Sequence, residues 1–136
     1  RFMIEQLAGL PAEVDNASEF RYRSPILSPR TLLVSVGQSG ETADTLGAME
    51  EAAMHGVRQV TVCNVEGSQA TRIADGTVYI GVGPEIGVAS TKCLIGSLAG
   101  LEQLAQVGVE GAILGSALYR GTVDLSEEVR RFGGLV

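Results

Sequence analysis

The chain has 136 residues, enough for one domain with a core of its own and too few for two. A hydrophobic share of 45% with 19% charged residues excludes a disordered chain, and a net charge of −6 without a clustered basic stripe excludes a nucleic-acid binder. No apolar run reaches the roughly 18 residues of a membrane span and no secretory leader opens the sequence, so no membrane contact and a cytoplasmic location are expected.

In chain order, residues 2–10 predict a helix ended by Gly9 and Pro11. Residues 12–16 predict a short strand, and a polar loop follows through Pro29. Residues 31–36 form a β-branched apolar run of the kind that fills a buried parallel strand. Residues 43–55 carry strong helix formers and an apolar stripe at Leu46, Met49, Ala53 and Met54, with Gly56 closing the helix. A Val- and Thr-rich strand at 59–65 comes next, then a short helix at 68–74 and a strand at 77–82. Residues 88–107 predict a long helix, although Gly96 and Gly100 weaken its middle. The tail reads as a strand and glycine turn at 109–116, then a capped helix at 124–132. This alternation calls for an α/β domain, a three-layer sandwich whose parallel sheet is covered on both faces.

Residues 36–45, Val-Gly-Gln-Ser-Gly-Glu-Thr-Ala-Asp-Thr, are the most informative stretch. They join the strand at 31–36 to the following helix and offer Gly37 and Gly40, the Gln38 amide and the hydroxyls of Ser39 and Thr42. Outward backbone N–H groups, the helix dipole and added hydroxyls make such a turn an anion site. The competing reading is an ordinary helix start with Ser39 or Thr42 as its cap. Cys63 and Cys93 lie in or beside apolar runs, which predicts buried thiols, and one His with two Cys gives no metal constellation. No cofactor is expected.

Gln38-Ser-Gly-Glu-Thr-Ala-Asp-Thr-Leu46 resembles the phosphate loop of the sugar isomerase (SIS) domain, as found in the isomerase half of glucosamine-6-phosphate synthases. Three further stretches resemble that family in the same order. They are Ala17 to Arg23, Val62-Cys63-Asn64-Val65 with Gly67-Ser68, and Gly83 to Lys92. The resemblance, over residues 1–92, implies a flavodoxin-like parallel sheet of five strands and recognition of a phosphorylated sugar such as fructose 6-phosphate or glucosamine 6-phosphate. It implies that Gln38, Ser39 and Thr42 hold the phosphate, with Gly37 and Gly40 shaping the loop, while Val88, Ala89 and Ser90 approach the sugar. Gly37 stands where the family carries its first phosphate-loop serine. The resemblance also implies a homodimer through helix packing, with the long helix at 88–107 as the contact.

Two departures accompany this. The family's central first strand, which ends in a Cys-Gly-Thr-Ser turn, has no counterpart in the sequence. Residues 97–119, with Gly115-Ser116-Ala117-Leu118-Tyr119, are similar to the last βα unit of the (βα)8 isomerases of histidine biosynthesis, where such a turn binds phosphate. The expectation is a single domain over 1–136, SIS-derived over 1–92 and completed atypically by 93–136. The strand at 109–115 would then fill the central gap, pairing with 12–16 and 31–36, and Ser116 with the Gly115 N–H would stand in at the phosphate. Unfilled, the gap would leave unpaired backbone groups at about 1–3 kcal/mol each.

No catalytic residue is assigned. Aldose–ketose isomerisation needs a general base near the C1/C2 proton and a ring-opening acid or lysine, which the resemblance places in a second SIS half and a C-terminal tail. Lys92 is expected to be structural, Glu41 and Asp44 to serve the helix dipole, and Glu85 to cap or orient its loop. The chain alone is thus expected to bind sugar phosphate without turning it over. Two alternatives stay open, a chimeric or engineered scaffold without activity and a piece that completes an aminotransferase or isomerase site in trans.

Overall fold

A computed structural model describes residues 1–87 and 90–107. The chain opens with a π-helical turn, Ile4–Ala8, closed by Gly9 in the left-handed conformation. Four α-helices and three strands follow: α1 (Ala17–Phe20), β1 (Leu32–Val36), α2 (Ala43–Met54), β2 (Arg58–Cys63), α3 (Gln69–Ile73), β3 (Gly76–Tyr79) and α4 (Lys92–Val107). The strands are parallel in the order β1-β2-β3, with Val34 opposite Val60 and Val62 opposite Val78. Each crossover is a helix, as parallel pairing requires.

Strand alternation divides the sheet's two faces. On one, Val62, Val78 and Ile80 pack with Cys93 of α4, and Val34, Val60, Val82, Leu101 and Val107 enlarge that core. On the other, Leu46 and Met49 of α2 pack with Ala70 of α3, Leu33, Ile73 and Ala74. Ser35 donates its hydroxyl to the Met49 sulfur there, and buried Gln59 donates through Nε2 to the Met49 carbonyl at 2.9 Å. The described residues therefore form an α/β domain with a helix layer on either face of a parallel sheet. The α4 helix can lie close because position 96 is glycine. A Cβ there would stand 2.9 Å from Val82 Cγ1 and 3.2 Å from Ile80 Cβ.

The sheet has three strands among the described residues, which include the positions of four of the five expected. Residues 12–16 are coil, contrary to the strand expected there. Val14 is their one β-branched residue and is 76% exposed, and Asp15 is drawn into an ion pair with Arg23. The Asn16 carbonyl accepts the amides of Glu19 and Phe20, so this segment starts α1 instead of joining a ladder. The α1 turn replaces part of the expected polar loop, lies beside α2 and buries Phe20. The strand at 109–115 and the helix at 124–132 lie outside the described residues, as do the proposed pairing of 109–115 with β1 and its replacement of a central strand.

Candidate functional site

The carboxyl ends of the three strands meet at one edge of the sheet, where open α/β sheets bind ligands. Three connections gather there: residues 37–42 after β1, 64–68 after β2 and, of the connection after β3, the described residues 80–87 and 90–91. Backbone bonds hold the first against the second. The Gly37 amide donates to Val62 O at 2.9 Å, Asn64 N to Gln38 O at 3.0 Å, and Ala70 N to Gly40 O at 3.0 Å.

Gly40 is the residue this packing singles out. Its φ is +66°, and a Cβ would lie 2.2 Å from Ser68 Oγ and 2.8 Å from Ser68 Cβ. A side chain is thus barred by conformation and by space. Gly37 differs, since its nearest neighbour to a Cβ would be Gly40 N at 4.0 Å. The loop has room for the serine hydroxyl that the resemblance places at this position.

Neither expected cap is used as one. Thr42 occupies the N-cap position of α2 and makes no side-chain capping bond. Ser39 Oγ accepts from the Glu41 amide at 3.2 Å, which leaves its O–H to donate. Leu46 N to Thr42 O is the first intrahelical bond, so the amides of Ala43, Asp44 and Thr45 precede it at the positive end of the helix. Hydroxyls and helix-start amides share one corner, and the hydroxyls are not consumed in starting the helix. Glu41 turns its carboxylate away to accept the Gln69 amide at 2.9 Å, and Asp44 lies exposed in the first turn of α2.

Glu85 anchors the third connection. Its Oε1 accepts from Gly87 N at 3.1 Å and Thr91 Oγ1 at 3.2 Å, and its Oε2 accepts from Cys93 N at 3.2 Å. The Cys93 amide above all, with Gly87 and Thr91, pulls this carboxyl down to a pKa of about 2. A carboxylate so committed orients a loop and caps α4 and is no poised base. Ser90 has φ +54°, a left-handed conformation uncommon for a residue with a side chain, so this corner carries strain. Val88, Ala89 and Ser116 lie outside the described residues, so of the expected second-loop ligands only Ser90 is seen.

Lys92 is exposed at the start of α4. Cys63 and Cys93 are free and buried, and desolvation pushes both thiols up. Among the described residues no three His, Cys, Asp or Glu side chains group as metal ligands, and no helix is long and apolar enough to cross a membrane.

Sequence reasoning assigned no role to Asn64, yet it contacts both loops. Its amide Nδ2 donates to Gly83 O at 2.7 Å and its Oδ1 accepts from Val82 N at 3.1 Å. The only available signal was its place in the Cys-Asn-Val stretch.

Comparison with known proteins agrees with the geometry. The SIS domain family model matches residues 1–107. The glutamine–fructose-6-phosphate aminotransferase of Symbiobacterium thermophilum is 52% identical over 105 residues, covering 77% of this chain and 17% of its own length. That of Thermus thermophilus is 43% identical over all 136 residues, 22% of its length, so this alignment runs through the tail as well. Among solved structures, the C-terminal domain of glucosamine-fructose-6-phosphate aminotransferase from Francisella tularensis superposes with a TM-score of 0.74 at 32% identity. The match covers 96% of this chain and 35% of that one. The chain therefore spans about a fifth of the length of the curated relatives it matches.

Proposed function

The chain belongs to the SIS domain family, and from that premise we propose that it binds a phosphorylated sugar of the fructose 6-phosphate or glucosamine 6-phosphate type. Residues 37–42 would take the phosphate, with Ser39, Thr42 and the Gln38 amide donating alongside the first amides of α2. The observation that carries this reading is the state of the loop. Gly40 is locked against Ser68, while the hydroxyls of Ser39 and Thr42 are not spent on capping. Ser90, with Val88 and Ala89, would approach the sugar.

Binding without turnover by this chain alone fits the employment of its acids. Glu41 and Glu85 both accept backbone amides, leaving neither poised to take the C1/C2 proton. An apolar strip on α4, with Leu94 56%, Ile95 67% and Leu98 44% exposed, supports a homodimer built by helix packing. Sedimentation velocity of wild type against Ile95→Glu tests that contact.

The test of the function is thermal unfolding with millimolar fructose 6-phosphate, with inorganic phosphate as control. A ligand at a hundredfold excess over Kd stabilises the native state by about 2.7 kcal/mol. A sugar-specific rise in Tm that Ser39→Ala and Thr42→Ala abolish is expected. No rise with either ligand overturns the reading. The small share of their length that the relatives devote to this region favours a second reading, completion of an aminotransferase or isomerase site in trans. Turnover that appears only when a partner half is added would identify it.

A further inference from the structure

The three connections at the carboxyl edge must keep a fixed spacing if one ligand is to touch two of them, and the sheet alone does not fix the third. After Tyr79 the chain leaves the ladder, and Gly81 and Gly83 both take left-handed conformations, φ +60° and +73°. The far end of this stretch is tied to α4 by Glu85. Its near end is tied first by the Ile80 amide, which donates to Cys63 O at 3.0 Å, and beyond that, at Val82 and Gly83, by the side chain of Asn64. The same residue's backbone amide donates to Gln38 O in the phosphate loop.

We propose that Asn64 is a positioning residue that couples the phosphate loop to the sugar-approaching loop and so sets selectivity for a phosphorylated sugar over free phosphate. This rests on the sugar-phosphate reading above. The chemistry suits asparagine in particular. A single short side chain must donate to the Gly83 carbonyl and accept from the Val82 amide, and the carboxamide offers one group of each kind. Aspartate would present a carboxylate oxygen to the Gly83 carbonyl, two acceptors at 2.7 Å, and alanine would make neither bond. In both variants the backbone bond to Gln38 survives, so the 37–42 loop keeps its support.

Titration calorimetry of wild type, Asn64→Ala and Asn64→Asp with fructose 6-phosphate and with inorganic phosphate tests this. Loss of two positioning bonds is expected to weaken fructose 6-phosphate by roughly tenfold, about 1.4 kcal/mol, with inorganic phosphate held within about twofold. A purely structural role would weaken both ligands together. Hydrogen exchange supplies a readout that needs no ligand. The Val82 amide should exchange faster in Asn64→Ala, while the Ile80 amide, bonded to Cys63 O at 3.0 Å, keeps its protection. An unchanged ratio of the two affinities, or an unchanged Val82 exchange rate, overturns the coupling and leaves the sugar-phosphate reading standing. Wild type that binds neither ligand refutes that reading, and the selectivity role falls with it.

Discussion

Replacing Gly40 by alanine places one methyl group where the structure leaves no space and no conformational freedom. The left-handed backbone at φ +66° costs an alanine about 1–2 kcal/mol. The contact with Ser68 adds to this. Rotating the serine hydroxyl away relieves the 2.2 Å approach to Oγ, but Cβ at 2.8 Å does not move with any rotamer. Ser68 is 2% exposed and starts α3, and the Thr71 hydroxyl donates to its carbonyl at 2.7 Å, so relief requires shifting a helix end. Overpacking of this kind costs about 1–3 kcal/mol. The sum is about 2–5 kcal/mol, read from the urea midpoint at unchanged m-value. Ser68→Gly removes both offending atoms. Against that background Gly40→Ala should cost only the backbone share, and the double-mutant cycle should return a favourable coupling of about 1–3 kcal/mol. The reasoning is refuted if Gly40→Ala costs the same with and without Ser68, or if it costs less than about 1 kcal/mol in the wild-type chain.

Three other perturbations read neighbouring parts of the site. Gly37→Ser fills open space, with nothing nearer its Cβ than Gly40 N at 4.0 Å, and adds a hydroxyl donor. Fructose 6-phosphate should bind about 2- to 12-fold tighter by calorimetry, the equivalent of one hydrogen bond at about 0.5–1.5 kcal/mol. The folded pKa of Glu85, about 2, lies below its ordinary value of 4.5. Its stabilisation is therefore full above about pH 4.5 and fades as pH falls toward 2, so the Tm advantage of wild type over Glu85→Gln should vanish across that window. Gly96→Ala would gain about 1 kcal/mol in an exposed helix. Here the Cβ meets Val82 and Ile80, so denaturation should report a net loss.

What could be read from the sequence was whatever short stretches decide for themselves. The run at 31–36 became Leu32–Val36, the helix at 43–55 became Ala43–Met54, and the helix at 68–74 became Gln69–Ile73. Each carries its own apolar period, cap or breaker within a dozen residues. The misplaced strand at 12–16 shows the converse. Ala-Glu-Val-Asp-Asn has little β character of its own, and a strand exists only when a partner edge accepts its backbone groups. Among the described residues none pairs with it, and Asp15 and Asn16 turn instead to Arg23 and α1.

The site divides along the same line. The loop at 37–42 announces itself because its hydroxyls, its glycines and the helix start it serves are adjacent in sequence. Asn64 is silent because its partners lie 26 residues before it and 18 and 19 after it. Glu85 falls between, since its acceptors' partners lie two, six and eight residues away and a capping role could be anticipated. Gly40 sharpens the distinction. Its place in a turn is legible, but its need to be glycine is set by Ser68, 28 residues downstream, which no local pattern encodes. The hydroxyls and glycines of such a loop are thus legible where the residues that hold the loops in register are not.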